Sequence, residues 1–455
     1  MYSRIFIFIY VITVSFSFSA SAKDTLTGAM VSAYNSSGLL EQNRAVLRAA
    51  DEEVASAASL LDPVVSWAST FSYNDRNVSN SFDNSASISL LADFTLYDGG
   101  KRSLGVEAAK FSVFATRSSL VNIEQNVLFE AIKAYLEVIR ETENVALREV
   151  NLSVISEELR AANDRFAVGE ITKTDVALAE ARVAASNSAL AFAKGSYEQA
   201  IAGYISAIGV KPSSLALEYP SFIPEVPVSL TNAIVIGLKE HPLIDELKNL
   251  VKVTEINSKI ADLSTSFTVS LGSSISFDED GETSGDLSVR ASGPIFSGGK
   301  LYSSSRKQIA LNHQTLARLY SSKNTIEQNI TNAFSLLQVA KAAKIAAEEQ
   351  IRATEVALKG VKEEAILGAR TTLDVLNAEQ ELLDARVQLI SAKVDEHLAL
   401  YRLLLRVGRL TVDYLDLPVR KYDVKKYYDL VKRSPASKTT AGRELEKILN
   451  SLAEN

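Results

Sequence analysis

The chain has no cysteine. That excludes disulfides, thiolate metal sites, cysteine nucleophiles and a lipidated N-terminal cysteine. Histidine is nearly absent, with three in 455 residues, at positions 241, 313 and 397. His241 precedes Pro242 at a helix start, and His313 and His397 fall in helical stretches without partners. All three therefore read as surface or packing residues. No basic excess exists either: 48 Lys and Arg stand against 55 Asp and Glu, for a net charge of −7. A nucleic-acid partner is not expected, because phosphate binding wants a basic surface. Beyond the first residues, no segment offers 18 uninterrupted apolar residues, so no transmembrane helix is expected. Proline is scarce, at nine residues, and its placement marks the architecture. What is abundant is apolar residues, at 47%, too many for a disordered chain.

The one early apolar run, Ile5 to Val14, follows Arg4 and leads to Ala20-Ser21-Ala22. A positive start, a short apolar core and a small-x-small site read as a secretory signal peptide over residues 1–22. Strands in an outer membrane remain compatible with such a chain, since hydropathy detects them poorly.

The rest is a tandem duplication. Leu26-Thr27, Ala29 and Val31 match Leu230-Thr231, Ala233 and Val235 at an offset of 204. Gly99-Gly100-Lys101 matches Gly298-Gly299-Lys300 at an offset of 199, as do Gly169, Thr172, Asp175 and Val176 with Gly368, Thr371, Asp374 and Val375. The five-residue change falls between Asn74–Ala86 in the first copy and Asp278–Gly285 in the second. Both segments are polar and turn-rich, so the copies are expected to differ in the length of one loop. The boundaries that follow are a first repeat at 23–210, a Pro-rich linker at 211–230, a second repeat at 231–417 and a C-terminal extension at 418–455. The extension carries a basic surplus and reads as peripheral and partly flexible.

Each copy contains two segments of period two. Val65, Trp67, Phe71 and Tyr73 alternate with Ser66, Ala68, Thr70 and Ser72. Ile88, Leu90, Ala92 and Phe94 alternate with Ser87, Ser89, Asp93 and Thr95. In the second copy Val269, Leu271, Ile275 and Phe277 alternate with Ser and Gly, and Leu287, Val289, Ala291 and Ile295 alternate with Ser288, Arg290 and Ser292. Such alternation gives one apolar and one polar face, and about ten residues cross a bilayer at a tilt. Polar faces made almost wholly of Ser and Thr suit a wet lumen.

The helices are longer than globular ones. No proline interrupts Gly100 to Lys211 or Ile295 to Leu417. Residues 101–167 and 300–366 contain a single glycine each. A helix of that length spans about 100 Å, which implies a coiled-coil-like assembly. The seams agree: Leu152, Ile155, Leu159, Ala162 and Phe166 step by three and four, as do Val176, Ala179, Val183, Ser186, Leu190 and Ala193. Four strands cannot close a barrel, and open edges cannot face lipid. Two chains would supply eight strands and three would supply twelve, so a cyclic oligomer is expected.

These features resemble the TolC-like outer-membrane channel proteins over nearly the whole chain after residue 22. The motifs that carry the resemblance are Leu96-Tyr97-Asp98-Gly99-Gly100 with Ile295-Phe296-Ser297-Gly298-Gly299, and the turn Arg165 to Val176 with its second copy Leu367 to Ala378. The Tyr422 to Lys432 stretch resembles the type I secretion branch more loosely. The resemblance implies a mixed α/β membrane protein with four transmembrane β-strands per chain. As a homotrimer it would form a twelve-stranded barrel in the outer membrane, among outer-membrane lipid, continuing into a long periplasmic α-helical coiled-coil barrel. Such a protein is a passive exit duct for efflux or type I secretion, opened by docking of a periplasmic adaptor protein and an inner-membrane transporter. No cofactor or enzymatic activity is implied.

The glycine pairs Gly99-Gly100 and Gly298-Gly299 read as strand-to-helix bends. They are followed by Lys-Arg and Lys-Leu, without phosphate-loop spacing. Thr172 with Asp175, and Thr371 with Asp374, look like capping boxes. With Gly169 and Gly368 they also mark the adaptor-docking tip that the resemblance implies. In a symmetric oligomer Asp374 would form a ring of carboxylates that attracts cations. The family has a second aspartate one turn on, where this chain has Asn377, so the ring is weaker here. Arg370 matches the family arginine that ties the closed tip together, but Ala365 replaces its usual tyrosine companion. Two other readings are a periplasmic coiled-coil adaptor and a secreted pore-forming protein. An adaptor would need a β-rich domain built from the chain ends, whereas these strands lie within each copy.

Overall fold

The computed structural model describes residues 25–76, 81–212, 217–220, 224–432 and parts of 439–447. The expected signal peptide at 1–22 lies outside the described residues. In chain order the elements are α1 (Leu26–Ser36), α2 (Gly38–Ser59), β1 (Val64–Arg76), β2 (Ser81–Tyr97), α3 (Lys101–Ala167) and α4 (Lys173–Ile208). The second copy repeats them as α5 (Leu230–Glu240), α6 (Pro242–Asp262), β3 (Thr268–Asp278), β4 (Thr283–Ser292), α7 (Lys300–Ile366) and α8 (Thr372–Val407). A last short helix, α9, spans Lys426–Val431.

The two long helices have the same length, 67 residues each. Both start at the same device. Gly100 (φ 88°) and Gly299 (φ 83°) hold the N-cap in the left-handed region, which a side chain would strain. The preceding Gly99 and Gly298 are left-handed as well, so the chain turns from strand to helix with little intervening loop. In the first copy Asp98 secures the bend: its carboxylate accepts from Gly100 N (2.9 Å), Arg102 N (3.0 Å) and Arg102 Nε (3.0 Å). The second copy has Ser297 and Leu301 at these places and lacks that clamp. The return helices α4 and α8, 36 residues each, end at left-handed Gly209 and Gly408.

The strands form one antiparallel sheet in the order β1-β2-β3-β4. Its register places Trp67 beside Leu90 and Leu90 beside Ile275; Phe94 lies beside Leu271 and Leu271 beside Val289. Apart from Val64 and Leu91, which lie beside Asp93 and Ser66, the large apolar residues of these ladders therefore share one face. The other face carries Ser66, Thr70, Ser89, Asp93, Ser270, Ser276, Ser288 and Arg290, with Ser89 and Ser276 joined through their hydroxyls at 2.8 Å. The apolar face is bare: Trp67, Phe71, Leu287 and Val289 are all largely exposed.

Two expectations need correction. The copies do not differ in loop length, because four positions separate the strands in each hairpin, at 77–80 and 279–282. The extra residues of the first copy lengthen β1 and β2 instead. β4 also stops at Ser292 rather than reaching Ile295. Gly293-Pro294 follows, and proline has no N–H to continue a ladder.

The main core lies midway along the helices. Leu26 and Met30 of α1, Leu47 of α2, Leu128, Ile132, Tyr135 and Leu136 of α3, Ile208 of α4, Ile330 of α7 and Leu403 and Leu404 of α8 all meet there. The linker packs onto it: Tyr135 donates to the Glu218 carbonyl (2.8 Å), and Tyr414 to that of Glu225 (2.9 Å). Part of the C-terminal extension is docked rather than solvated. Tyr427 and Val431 of α9 are buried with Ala55 of α2, and the Tyr427 hydroxyl donates to Glu52 (2.7 Å).

Candidate functional site

The far ends of the helical pairs are built by two nearly identical turns. In the first, the left-handed Gly169 (φ 82°) follows the end of α3. Gly169 N donates to Phe166 O (3.0 Å) and Glu170 N to Arg165 O (2.9 Å), closing the last open carbonyls. Thr172 then caps α4. Its hydroxyl accepts from Asp175 N (3.3 Å), and the Asp175 carboxylate accepts from Thr172 N (2.9 Å). The second turn repeats this with Gly368 (φ 78°), Thr371 and Asp374, at 3.2 Å and 2.9 Å. Both capping boxes are complete. The backbone and hydroxyl bonds from Thr371 hold the Asp374 carboxyl below its ordinary pKa, and those from Thr172 do the same for Asp175. Both aspartates therefore stay charged near neutral pH.

Around these turns the copies diverge. Arg370 donates its Nε to Glu364 (2.7 Å) within its own turn rather than to Asp374. Asn377 lies one turn along α8 from Asp374 and accepts from Arg182 Nη2 of α4 (2.8 Å). The first copy carries Ile171 and Leu178 where the second carries Arg370 and Asn377. Arg370 and Asn377 thus belong to the second turn alone, whereas the aspartate of the capping box is common to both.

Near the turns, two links between the copies were not expected from the sequence. One is the Arg182–Asn377 bond. The other centres on Lys362 of α7, which pairs with the buried Glu379 of α8 and, at 3.6 Å, with Glu158 of α3. Burial opposes the Lys362 charge, but these two carboxylates hold its pKa above the ordinary lysine value. Beneath them a small apolar cluster joins Ile155 and Ala162 of α3, Ala179 of α4 and Leu376 of α8. Ile155, Leu159 and Ala162 of one expected seam, and Ala179 and Val183 of the other, are therefore used, whereas Phe166 is exposed; Leu376 extends the packing to the second copy. The signal for these links was faint, because Arg182 and Asn377 lie in different copies and match no local motif.

Elsewhere His241 and His397 have packing roles, and His313 is exposed. His241 is buried, and its Nδ1 accepts from Leu243 N (3.2 Å) at the start of α6. Burial pushes its pKa down to about 4. His397 stacks on Tyr219, ring centroids 5.7 Å apart. Among the described residues, no group of three or more His, Asp or Glu is placed to hold a metal ion. No helix of the described residues is long and apolar enough to cross a membrane.

Comparison with known proteins gives this arrangement a context. The family model described as outer membrane efflux protein matches residues 30–210 and 259–409. The outer membrane efflux protein BepC of Brucella suis biovar 1 (strain 1330) is 34% identical over 420 residues, covering 90% of this chain and 91% of BepC. The outer membrane protein TolC of Vibrio cholerae serotype O1 is 22% identical over 383 residues, covering 80% of this chain and 86% of TolC. Among solved structures, CusC superposes with a TM-score of 0.77 at 16% identity, over 85% of this chain and 92% of CusC. That likeness establishes the fold: long helices capped by a small antiparallel sheet. None of these relatives is named as an adaptor.

Proposed function

Because the chain belongs to the outer membrane efflux protein family, and is accordingly an outer-membrane exit duct with a periplasmic helical extension, we propose that it works as a homotrimer. Its two helical turns would form the periplasmic entrance. One observation carries the reading: a four-stranded sheet has two open edges and one bare apolar face, and both 67-residue helices continue directly from it. Open edges cannot remain in lipid. Three copies bring twelve strands, and cyclic closure then places a ring of helices beneath the barrel.

At the other end each copy contributes one Asp374, fixed by its capping box and held ionised. Three such carboxylates around an axis attract cations and repel anions at a constriction. Asn377 adds no charge, so the second turn contributes one aspartate per chain to that ring. Arg370 stiffens the same turn through Glu364. Of the contacts that tie the two helical pairs together here, the Arg182–Asn377 hydrogen bond is exposed and worth under about 1 kcal/mol, whereas Lys362 with Glu158 and the buried Glu379, and Leu376 in its apolar cluster, are partly or wholly buried. An adaptor docking on the turns at Gly169–Asp175 and Gly368–Thr371 would swing one helical pair from the other by breaking these contacts. The same duct would serve an inner-membrane transporter through that adaptor.

The test is the mass of detergent-extracted protein from outer membranes, by light scattering with the detergent subtracted, followed by single-channel recording. A three-chain particle whose cation preference drops in Asp374→Asn supports the reading. A monomer, or a selectivity indifferent to Asp374, overturns it.

A further inference from the structure

The internal duplication places the first copy against the second within one chain, through the β2–β3 seam. A closed ring needs one more kind of seam, where β4 of one copy meets β1 of the next. Among the described residues both edges are unpaired. The same structural unit lies on both sides of each seam, β2 being the counterpart of β4 and β3 of β1. We infer that β4 pairs antiparallel with β1 of the next copy in the register that the chain already displays between β2 and β3. Ser288 then faces Ser72 of the next copy, and Val289 faces Phe71. The inference rests on the oligomeric duct proposed above and goes beyond it by fixing residue against residue.

The register follows from the observed pairs. Leu90 lies beside Ile275, Ser89 beside Ser276 and Ile88 beside Phe277. Moving the first member forward by the 199-residue offset, and the second back by the 204-residue offset, gives Val289 with Phe71, Ser288 with Ser72 and Leu287 with Tyr73. Arg290 then falls opposite Thr70, and Gly293 opposite Trp67.

Three features of the sheet fit this register without having been used to obtain it. First, the faces agree. Val289, Leu287, Phe71 and Tyr73 lie on the apolar side, and Ser288, Arg290, Ser72 and Thr70 on the polar side. A slip of one residue would set every apolar side chain of β4 against a polar one. Second, the hydroxyl pair Ser89–Ser276, at 2.8 Å, recurs as Ser288–Ser72. Third, the seam ends where it should. In the chain, β2 bulges between Thr95 and Tyr97 before Tyr97 rejoins β3 at Val269. Pro294 stands at the counterpart of Thr95, so the ladder stops there, at the point where β4 is seen to end.

The inference also accounts for one of two side chains that the single chain leaves bare. Ile295 and Phe296 are almost wholly exposed, at 103% and 90%. Their counterparts are Leu96 and Tyr97, and the Tyr97 ring lies 5.2 Å from that of Phe267. The same placement sets Phe296 against Pro63 and Val65 of the next copy.

Because the chain has no cysteine, introduced pairs report without background. In outer membranes under mild oxidation, Ser72→Cys/Ser288→Cys is expected to give covalent dimers and trimers on denaturing gels. Ser89→Cys/Ser276→Cys, its counterpart inside the chain, should crosslink without a change of mass. A register slipped by two keeps the faces and is the serious competitor. It would favour Ser72→Cys/Arg290→Cys, a diagonal pair about 7 Å apart in the inferred register and outside easy disulfide reach. At least a fivefold lower yield, roughly, is expected for that pair. Should Ser72→Cys/Ser288→Cys fail to assemble, Thr70→Cys/Arg290→Cys reads the same register. Preferential crosslinking of the slipped pair in a particle of three-chain mass overturns the register and leaves the trimer standing. A single-chain mass, with no intermolecular crosslink from any pair, overturns both.

Discussion

The two copies have the same order of helices and strands, and their long helices have the same lengths, yet they fill them differently. Val113, Leu128, Ile132, Tyr135 and Leu136 of α3 are all completely buried. The equivalent places in α7 hold Asn312, Glu327, Thr331, Phe334 and Ser335, none of them buried. At that level α3 is covered by α1, the linker and neighbouring helices, and α7 is covered far less. The difference also reaches single carboxylates. Asp51 of α2 and Glu255 of α6 are counterparts. Asp51 is buried, and burial pushes its carboxyl up to about 6 despite Arg117 nearby. Glu255 sits on the surface between Lys252 and Lys259, whose hydrogen bonds lower its pKa. A duplicated fold thus keeps its backbone while one copy becomes the inside of the chain and the other its outward side.

The largest effects are expected where the copies share a device but differ in its surroundings. A methyl group on Gly408 would come within 2.8 Å of the His241 Cα, and one on Gly209 within 2.5 Å of the Ser36 hydroxyl. Both glycines are also left-handed. Gly408→Ala and Gly209→Ala are each expected to destabilise by about 3 kcal/mol, read from denaturant midpoints in detergent. Ser36→Gly should restore part of the loss at Gly209. No trimming of the His241 side chain should rescue Gly408, since backbone blocks it.

Asp51 and Glu255 give the next contrast. A carboxyl whose pKa is raised by folding stabilises most below its ordinary value and loses that stability as pH rises toward about 6. Asp51→Asn should therefore stabilise the protein above pH 6, by about 1–2 kcal/mol after allowing for solvent screening, with the gain fading toward pH 4. Glu255→Gln should instead be slightly destabilising near neutral pH. Equal melting shifts for the two variants at pH 7.5 would break the comparison. Thr172→Ala and Thr371→Ala remove matched caps and should each lose about 1 kcal/mol. Only the second, by loosening Asp374, should alter single-channel selectivity. The smallest effect belongs to Arg182→Ala, at about 0.5 kcal/mol or less, visible mainly as more frequent opening in planar bilayers.

The extent of the long helices was legible because helix ends are written locally. Glycine pairs begin α3 and α7, Gly-x-x-Thr turns end them, and no proline intervenes. The capping boxes at Thr172 and Thr371 were legible for the same reason. Loop length was not. Asn74–Ala86 is polar and rich in turn formers, and such composition fits a solvated hairpin as well as a loop. Only the ladder, with Arg76 beside Ser81, distinguishes them. The end of β4 was misjudged because alternation continues to Ile295 through Pro294, where the backbone cannot pair. Arg182–Asn377 and Lys362–Glu158 were hidden because each joins helices far apart in sequence. The docking of α9 was masked by a basic composition in which Tyr427 and Val431 supply the contacts.

The longer first hairpin has a consequence for the outer rim. The five additional residues lie in β1 and β2, about 2–3 to a strand, which raises that hairpin by roughly 8 Å at about 3.3 Å per residue. In the proposed trimer, three tall hairpins alternate with three short ones, and the mouth is crenellated rather than level. In that trimer anything arriving from outside, an antibody or a phage fibre, would meet the taller first hairpin before the acidic stretch at 278–282.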